Sequence, residues 1–110
     1  MTILDRVKLR VPRIDETLAN EFIISVQDRI KLRLELDEYP HELDTIVVEV
    51  VQAMNNRHEM NHEGVESESV DVFSIKFIDD LLSQYDSDLQ GYINKKKNSE
   101  NASRGVLRFL

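Results

Sequence analysis

Between Pro40 and Met54 the chain reads PHELDTIVVEVVQAM, and its apolar residues Leu43, Ile46, Val47, Val50, Val51 and Met54 fall at i, i+3, i+4, i+7, i+8 and i+11. That spacing sets all six on one stripe of a 3.6-residue helix, and such a stripe must be covered by other elements. The β-branched run Ile46-Val47-Val48 with Val50-Val51 would suit a strand. A strand needs a period of two, however, and the spacing together with Asp44 and Glu49 favours helix. Pro40 stands at the start, where a missing N–H costs nothing. One strongly patterned helix therefore commits the chain to helix-on-helix packing.

The flanking segments fit the same plan. Thr2 is an N-cap for a short first helix ending near Arg10, with Ile3, Leu4 and Val7 facing inward. Val11-Pro12 ends it, because the residue before proline disfavours helix. Asp15 caps a second helix in which Leu18, Phe22, Val26, Ile30 and Leu34 recur every four residues, with Ala19 and Ile23 alongside. The turn Glu38-Tyr39-Pro40 stops it. From Asn61 to Asp71 the periodicity dissolves into Gly64 and a string of Glu and Ser, the composition of an exposed loop. Val70, Val72, Ile75 and Phe77 suit a short extended piece. Ile78, Leu81, Leu82, Tyr85, Leu89, Tyr92 and Ile93 then line one face of a last helix, with Asp86-Ser87-Asp88 as the place for a bend. KKKNSENASRG over 95–105 reads as a flexible polar linker before the terminal VLRFL.

The expected fold class is mainly α: a small antiparallel bundle of three to four helices, with a long loop after the third helix and a flexible C-terminal tail. The bundle should occupy 1–95 and the tail 96–110. Its core should hold Leu18, Phe22, Val26, Ile30, Leu43, Ile46, Val47, Val50, Met54, Leu81, Leu82, Tyr85 and Leu89. A chain of 110 residues suffices for one such core.

Composition narrows the chemistry. With no cysteine there is neither a disulfide framework nor thiolate chemistry, which suits a reducing cytoplasm. No apolar run approaches the roughly 20 residues that cross a bilayer, so no membrane partner is expected. The opening MTILDRVKLR lacks the unbroken apolar stretch of a secretory signal. The net charge of −7 argues against general nucleic-acid binding, and its distribution is uneven. Residues 1–14 carry +3, residues 15–34 carry −1, residues 35–90 carry −13 and residues 91–110 carry +4. Ends of one sign and a middle of the other repel like to like but attract end to middle, a pattern suited to head-to-tail, ring-forming contacts. An ordinary acidic helical surface would give the same sum.

One short motif points elsewhere. HEMNH, His58 to His62, matches the zinc-protease pattern H-E-x-x-H, in which two histidines one turn apart bind the metal and the glutamate activates its water. Asn61 and Gly64 suggest that the helix frays near 60–62, which would take His62 off that face. A third ligand is also needed. His41 stands seventeen residues before His58, roughly 25 Å away along a continuous helix at about 1.5 Å per residue. Glu63, Glu66, Glu68 and Asp71 are the downstream carboxylates, all in the loop. Polar residues at a helix end are the simpler account, and neither metal nor cofactor is expected.

At wider scale the same stretch reads differently. The patterned helix with Pro40, Glu42 and Leu43 at its start is followed by Asn56-Arg57, a spacer, Glu63-Gly64, Ser67-Glu68-Ser69-Val70, then Ser74 and Phe77 and a helix bearing Leu and Tyr. This order resembles the head–tail connector, or adaptor, proteins of long-tailed bacteriophages, which often show N-R-x-G-x-E-G followed by S-E-S-V. The likeness covers about residues 15–95 and is most specific over 40–77. HEMNH departs from it, standing where the family has a shorter, glycine-containing link. The resemblance implies a helical bundle that assembles into a homo-oligomeric ring, commonly a dodecamer, at the neck of the virion, after a period in the host cytoplasm during assembly. Such a ring docks beneath the portal protein once DNA is packaged. It offers its far face to a stopper or tail-completion protein, and lets DNA through its channel on ejection without sequence-specific binding or catalysis.

The residues that would make these contacts are Glu63, Gly64, Glu66, Ser67 and Glu68 in the loop, Arg6 and Arg10 on the first helix, and Arg104, Val106, Leu107, Arg108, Phe109 and Leu110 in the tail. Gly64 permits a positive φ, and a Ser/Glu-rich loop cannot bury itself, so it can wait for a partner to order it. The tail's apolar groups gain by burial on the portal or a neighbouring subunit, or by packing back on their own bundle. Two other classes remain open on sequence alone: an unrelated helical interaction module, such as a small regulator or antitoxin, and a metal hydrolase built on HEMNH.

Overall fold

The computed structural model describes residues 1–62 and 72–105, with side chains placed over 1–60 and 72–98. In order, the elements are α1 (Ile3–Arg10), α2 (Glu16–Leu34), a 3₁₀ turn (His41–Leu43), α3 (Asp44–His62), α4 (Ile75–Ser83) and α5 (Asp86–Gly105). Among the described residues there is no strand, and the mainly helical small bundle expected from the periodicity is what the chain forms. The expected loop residues of 63–71 and the terminal 106–110 lie outside the described residues.

The helix starts follow from their caps. Thr2 Oγ1 accepts the Asp5 N–H at 3.0 Å while an Asp5 carboxylate oxygen accepts the Thr2 N–H at 3.2 Å, a reciprocal capping box. Those hydrogen bonds from Thr2 hold the Asp5 carboxyl below the usual aspartate range. Asp15 accepts the Leu18 N–H at 3.2 Å to open α2, and Ser74 accepts the Phe77 N–H at 3.0 Å to open α4. At the end of α2, Glu35 adopts φ 57° and ψ 47°, the left-handed conformation that usually falls to glycine after a helix. This turn lets the Leu36 N–H reach back to the Lys31 carbonyl at 2.8 Å.

α3 lies at the centre, packed by α1, α2 and α4. Phe22, Val26 and Ile30 of α2 are fully buried, with Val47, Val50, Val51 and Met54 of α3, Leu82 of α4 and Leu89 of α5. Leu43 is also buried. Leu18, Ile46, Leu81 and Tyr85, expected in the core, are only half-buried and pack against its edge. Val48 is fully buried although it lies off the stripe. A stripe assumes a helix covered on one side, and α3 is covered on several. Val7, Ile14 and Val72 complete the core from α1 and from the connections.

Three local expectations are corrected. Where an extended piece was expected around Val72 and Phe77, Val72-Phe73 form a turn and α4 begins at Ile75, because the Ser74 cap starts a helix there. Where one last helix was expected there are two. At Gln84 and Tyr85 the backbone tightens, with Gln84 N–H to Leu81 O at 3.2 Å and Tyr85 N–H to Leu82 O at 2.8 Å. Asp86 and Asp88 then occupy the first turn of α5, where acids suit the helix dipole. Finally, helix continues over 95–105 in place of a linker, so the expected boundary at 95 falls inside α5. Lysines are good helix formers, and neither proline nor glycine occurs between Gly91 and Gly105.

Candidate functional site

The expected contact residues divide by what the fold reaches. Arg6 and Arg10 project from α1 towards α3. An Arg6 Nη donates to Thr45 Oγ1 at 2.8 Å, and an Arg10 Nη donates to Gln52 Oε1 at 3.2 Å. Each guanidinium has five N–H donors, so one bond to α3 fixes the arginine and leaves others for a partner. Arg104 lies on the last turn of α5. Glu63, Gly64, Glu66, Ser67 and Glu68 of the loop, and Val106, Leu107, Arg108, Phe109 and Leu110 of the tail, lie outside the described residues.

HEMNH is better organised than its sequence suggests. α3 runs through His62 without the expected fraying, so the two histidines lie one turn apart on a continuous helix. The His58 ring meets the Phe22 ring edge-on, with centroids 6.4 Å apart, and Phe22 also packs on Phe73 at 5.1 Å. His58 thus takes part in aromatic packing against α2. Among the described residues no three His, Asp or Glu side chains are grouped as a metal site requires. Beside the motif, the Nε of Arg57 is buried with no hydrogen-bond partner among the described residues.

The structure adds a clamp that no local pattern announces. Arg29 and Arg33, one turn apart on α2, grip both C-terminal helices, α4 at its middle and α5 at its start. Arg29 holds Asp79 of α4 through two hydrogen bonds, at 3.3 and 3.1 Å, and Arg33 holds Asp86 of α5 through two at 3.0 Å. The third Arg33 nitrogen stands 4.0 Å from Asp79. Paired forks of this kind fix direction as well as distance. The Tyr39 hydroxyl donates to Asp44 at 2.7 Å, and the Tyr85 hydroxyl donates to Glu49 at 3.0 Å. Burial first, then the accepting carboxylate, pushes both phenols above the ordinary tyrosine range, so both stay protonated donors.

Two grooves flank α5. The first, about 410 Å³, lies between α5 and the start of α3, with Glu42, Glu49 and Asp88 around Ile46, Tyr85 and Tyr92. Gly91 lines it, and a Cβ added there would meet nothing within 4 Å. The second, about 450 Å³, lies between α5 and the end of α2, with Arg33, Lys96 and Lys97 around Leu34, Leu36 and Ile93. From Asn94 to Asn98 every side chain of α5 is exposed, so this part of the helix stands clear of the bundle. Such surfaces suit contacts between proteins: apolar floors with charged rims and room for an incoming helix.

Set against known proteins, the chain matches no family model, no curated protein and no solved structure.

Proposed function

We propose that the chain is a non-catalytic subunit of a ring that joins a phage head to its tail. The observation that carries this reading is the ordered set Asn56-Arg57, Glu63-Gly64 and Ser67-Glu68-Ser69-Val70, which begins on the last turns of the strongly apolar α3 and precedes the Ser-initiated α4 in sequence. The helical bundle is the fold that such a protein needs, and its clamped C-terminal helix suits load-bearing contact. In this role the ring sits under the portal, receives a stopper or tail-completion protein on its far face, and works at the neck of the virion.

Charge fits the task. A channel wall that carried lysine or arginine would neutralise phosphates, and each such contact would add salt-dependent affinity that slows passage. The 35–90 segment holds −13, so placing it towards the lumen keeps DNA free to move. Basic ends are then available for proteins that present acid.

Electron microscopy of the purified chain mixed with portal tests the reading directly. Rings seated coaxially on the portal are the expected result. Portal images that remain bare at all protein ratios would leave a stand-alone helical interaction module as the better account. Infectious particles with no copy of the chain at their neck would reject the connector outright.

A further inference from the structure

We propose that the two grooves beside α5 are the two halves of one contact between copies of this chain, the acid-rimmed groove of one copy receiving the lysine-bearing flank of α5 from the next. The inference rests on the ring reading for its setting, yet it names surfaces and is tested without portal.

Three observations carry it. The first is sign. The groove on the α3 side has three carboxylates, Glu42, Glu49 and Asp88, and one lysine, Lys95, for a net −2. The groove on the α2 side has Arg33, Lys96 and Lys97 against Glu35, for a net +2. Arg33 is already engaged by Asp86, whereas Lys96 and Lys97 have no ion-pair partner among the described residues. They are exposed cations on a helix, beside a half-buried apolar residue, Ile93.

The second is direction. At about 100° per residue, Gln90, Ile93 and Lys97 fall on one flank of α5, and Asp88, Tyr92 and Lys95 fall on the other. A copy that uses one flank to bind its neighbour leaves the opposite flank open for the next. Contacts of that kind are heterologous. They close into a ring when the rotation per step divides a full turn, and continue as a filament when it does not. A two-fold contact would need both flanks turned towards the same partner, and they lie on opposite sides of α5.

The third is fit. Ile46, Tyr85 and Tyr92 give the acidic groove an apolar floor, and Gly91 leaves the α5 backbone bare at its side. An incoming helix can approach closely there, with its lysines reaching the carboxylate rim. Apolar contact supplies adhesion, and the charges select the register.

The test is a reciprocal charge swap on the full chain. One variant carries Lys96→Glu with Lys97→Glu, and the other carries Glu42→Lys with Asp88→Lys. All four positions are exposed, and circular dichroism verifies the helix content of each. Sedimentation velocity at low salt should show concentration-dependent association of the wild type, weakened by tenfold or more in either variant alone. An equimolar mixture of the two should recover association, since each altered flank now meets an altered groove of opposite sign. Raising salt from about 0.1 M to about 1 M, which contracts the screening length from about 10 to about 3 Å, should reverse both the wild-type and the recovered association. If the Asp88 substitution lowers helix content, Glu42→Lys alone serves with the lysine variant. A wild type that stays monomeric at millimolar concentration and low salt, variants that associate as the wild type does, or a mixture that fails to recover would each overturn the proposal. Self-association through these grooves without any binding to portal would uphold this contact and reject the connector.

Discussion

Helices α3 and α5 are nearly equal in length, 19 and 20 residues, and are held in place by opposite means. α3 buries Val47, Val48, Val50, Val51, Met54 and even Asn55, so neighbouring helices enclose most of its circumference. α5 buries Leu89 alone among its described side chains, and beyond Ile93 it touches little but solvent. For α3, helix formation and packing are one event, because the stripe that makes it helical also makes it stick. For α5, helicity owes more to local terms, through acids in the first turn, the run Lys95-Lys96-Lys97 and the Arg33 fork at its base. A helix that owes little to burial keeps its surface available for others.

Substitutions should separate the two regimes. Met54→Ala removes a fully buried side chain from the centre of the bundle and should lower stability by about 2–5 kcal/mol, read as a drop in the denaturant midpoint. Leu89→Ala should cost less, about 2 kcal/mol, since the helix around it is mostly exposed. Hydrogen exchange should then show the amides of α5 opening while those of α2 and α3 stay protected. Lys96→Ala combined with Lys97→Ala should shift stability by no more than about 0.5 kcal/mol, the usual range for surface positions. A larger loss from the lysine pair would mean that the exposed half of α5 supports the bundle and is held as α3 is.

How much of this was legible in the sequence depends on the signal each feature leaves. The caps at Thr2 and Asp15, the stripe of α3 and the four-residue repeat of α2 are local patterns, and the chain follows them. Val48 was missed because a stripe marks one covered side and α3 has several. The helix over 95–105 reads as linker because polar composition signals the lack of a core contact, which holds for the exposed side chains of Lys95 to Asn98, and says nothing against helix. The arginine clamp joins residues some fifty positions apart, Arg29 to Asp79 and Arg33 to Asp86, and no spacing rule pairs them before the packing is known. The grooves are invisible for the same reason, since each needs two helices. Of the expected contact residues, Arg6 and Arg10 are the ones whose side chains the structure describes, and each is fixed on α3.

Arg33 reaches across the joint between α4 and α5, close to Asp79 on one side and forked onto Asp86 on the other. Arg33 is thus one tie, outside the hydrophobic interior, that joins both arms of that elbow to α2. A descendant of this molecule could point its terminal helix elsewhere, to follow a mating surface that had drifted, by altering one position while every buried residue stayed as it was.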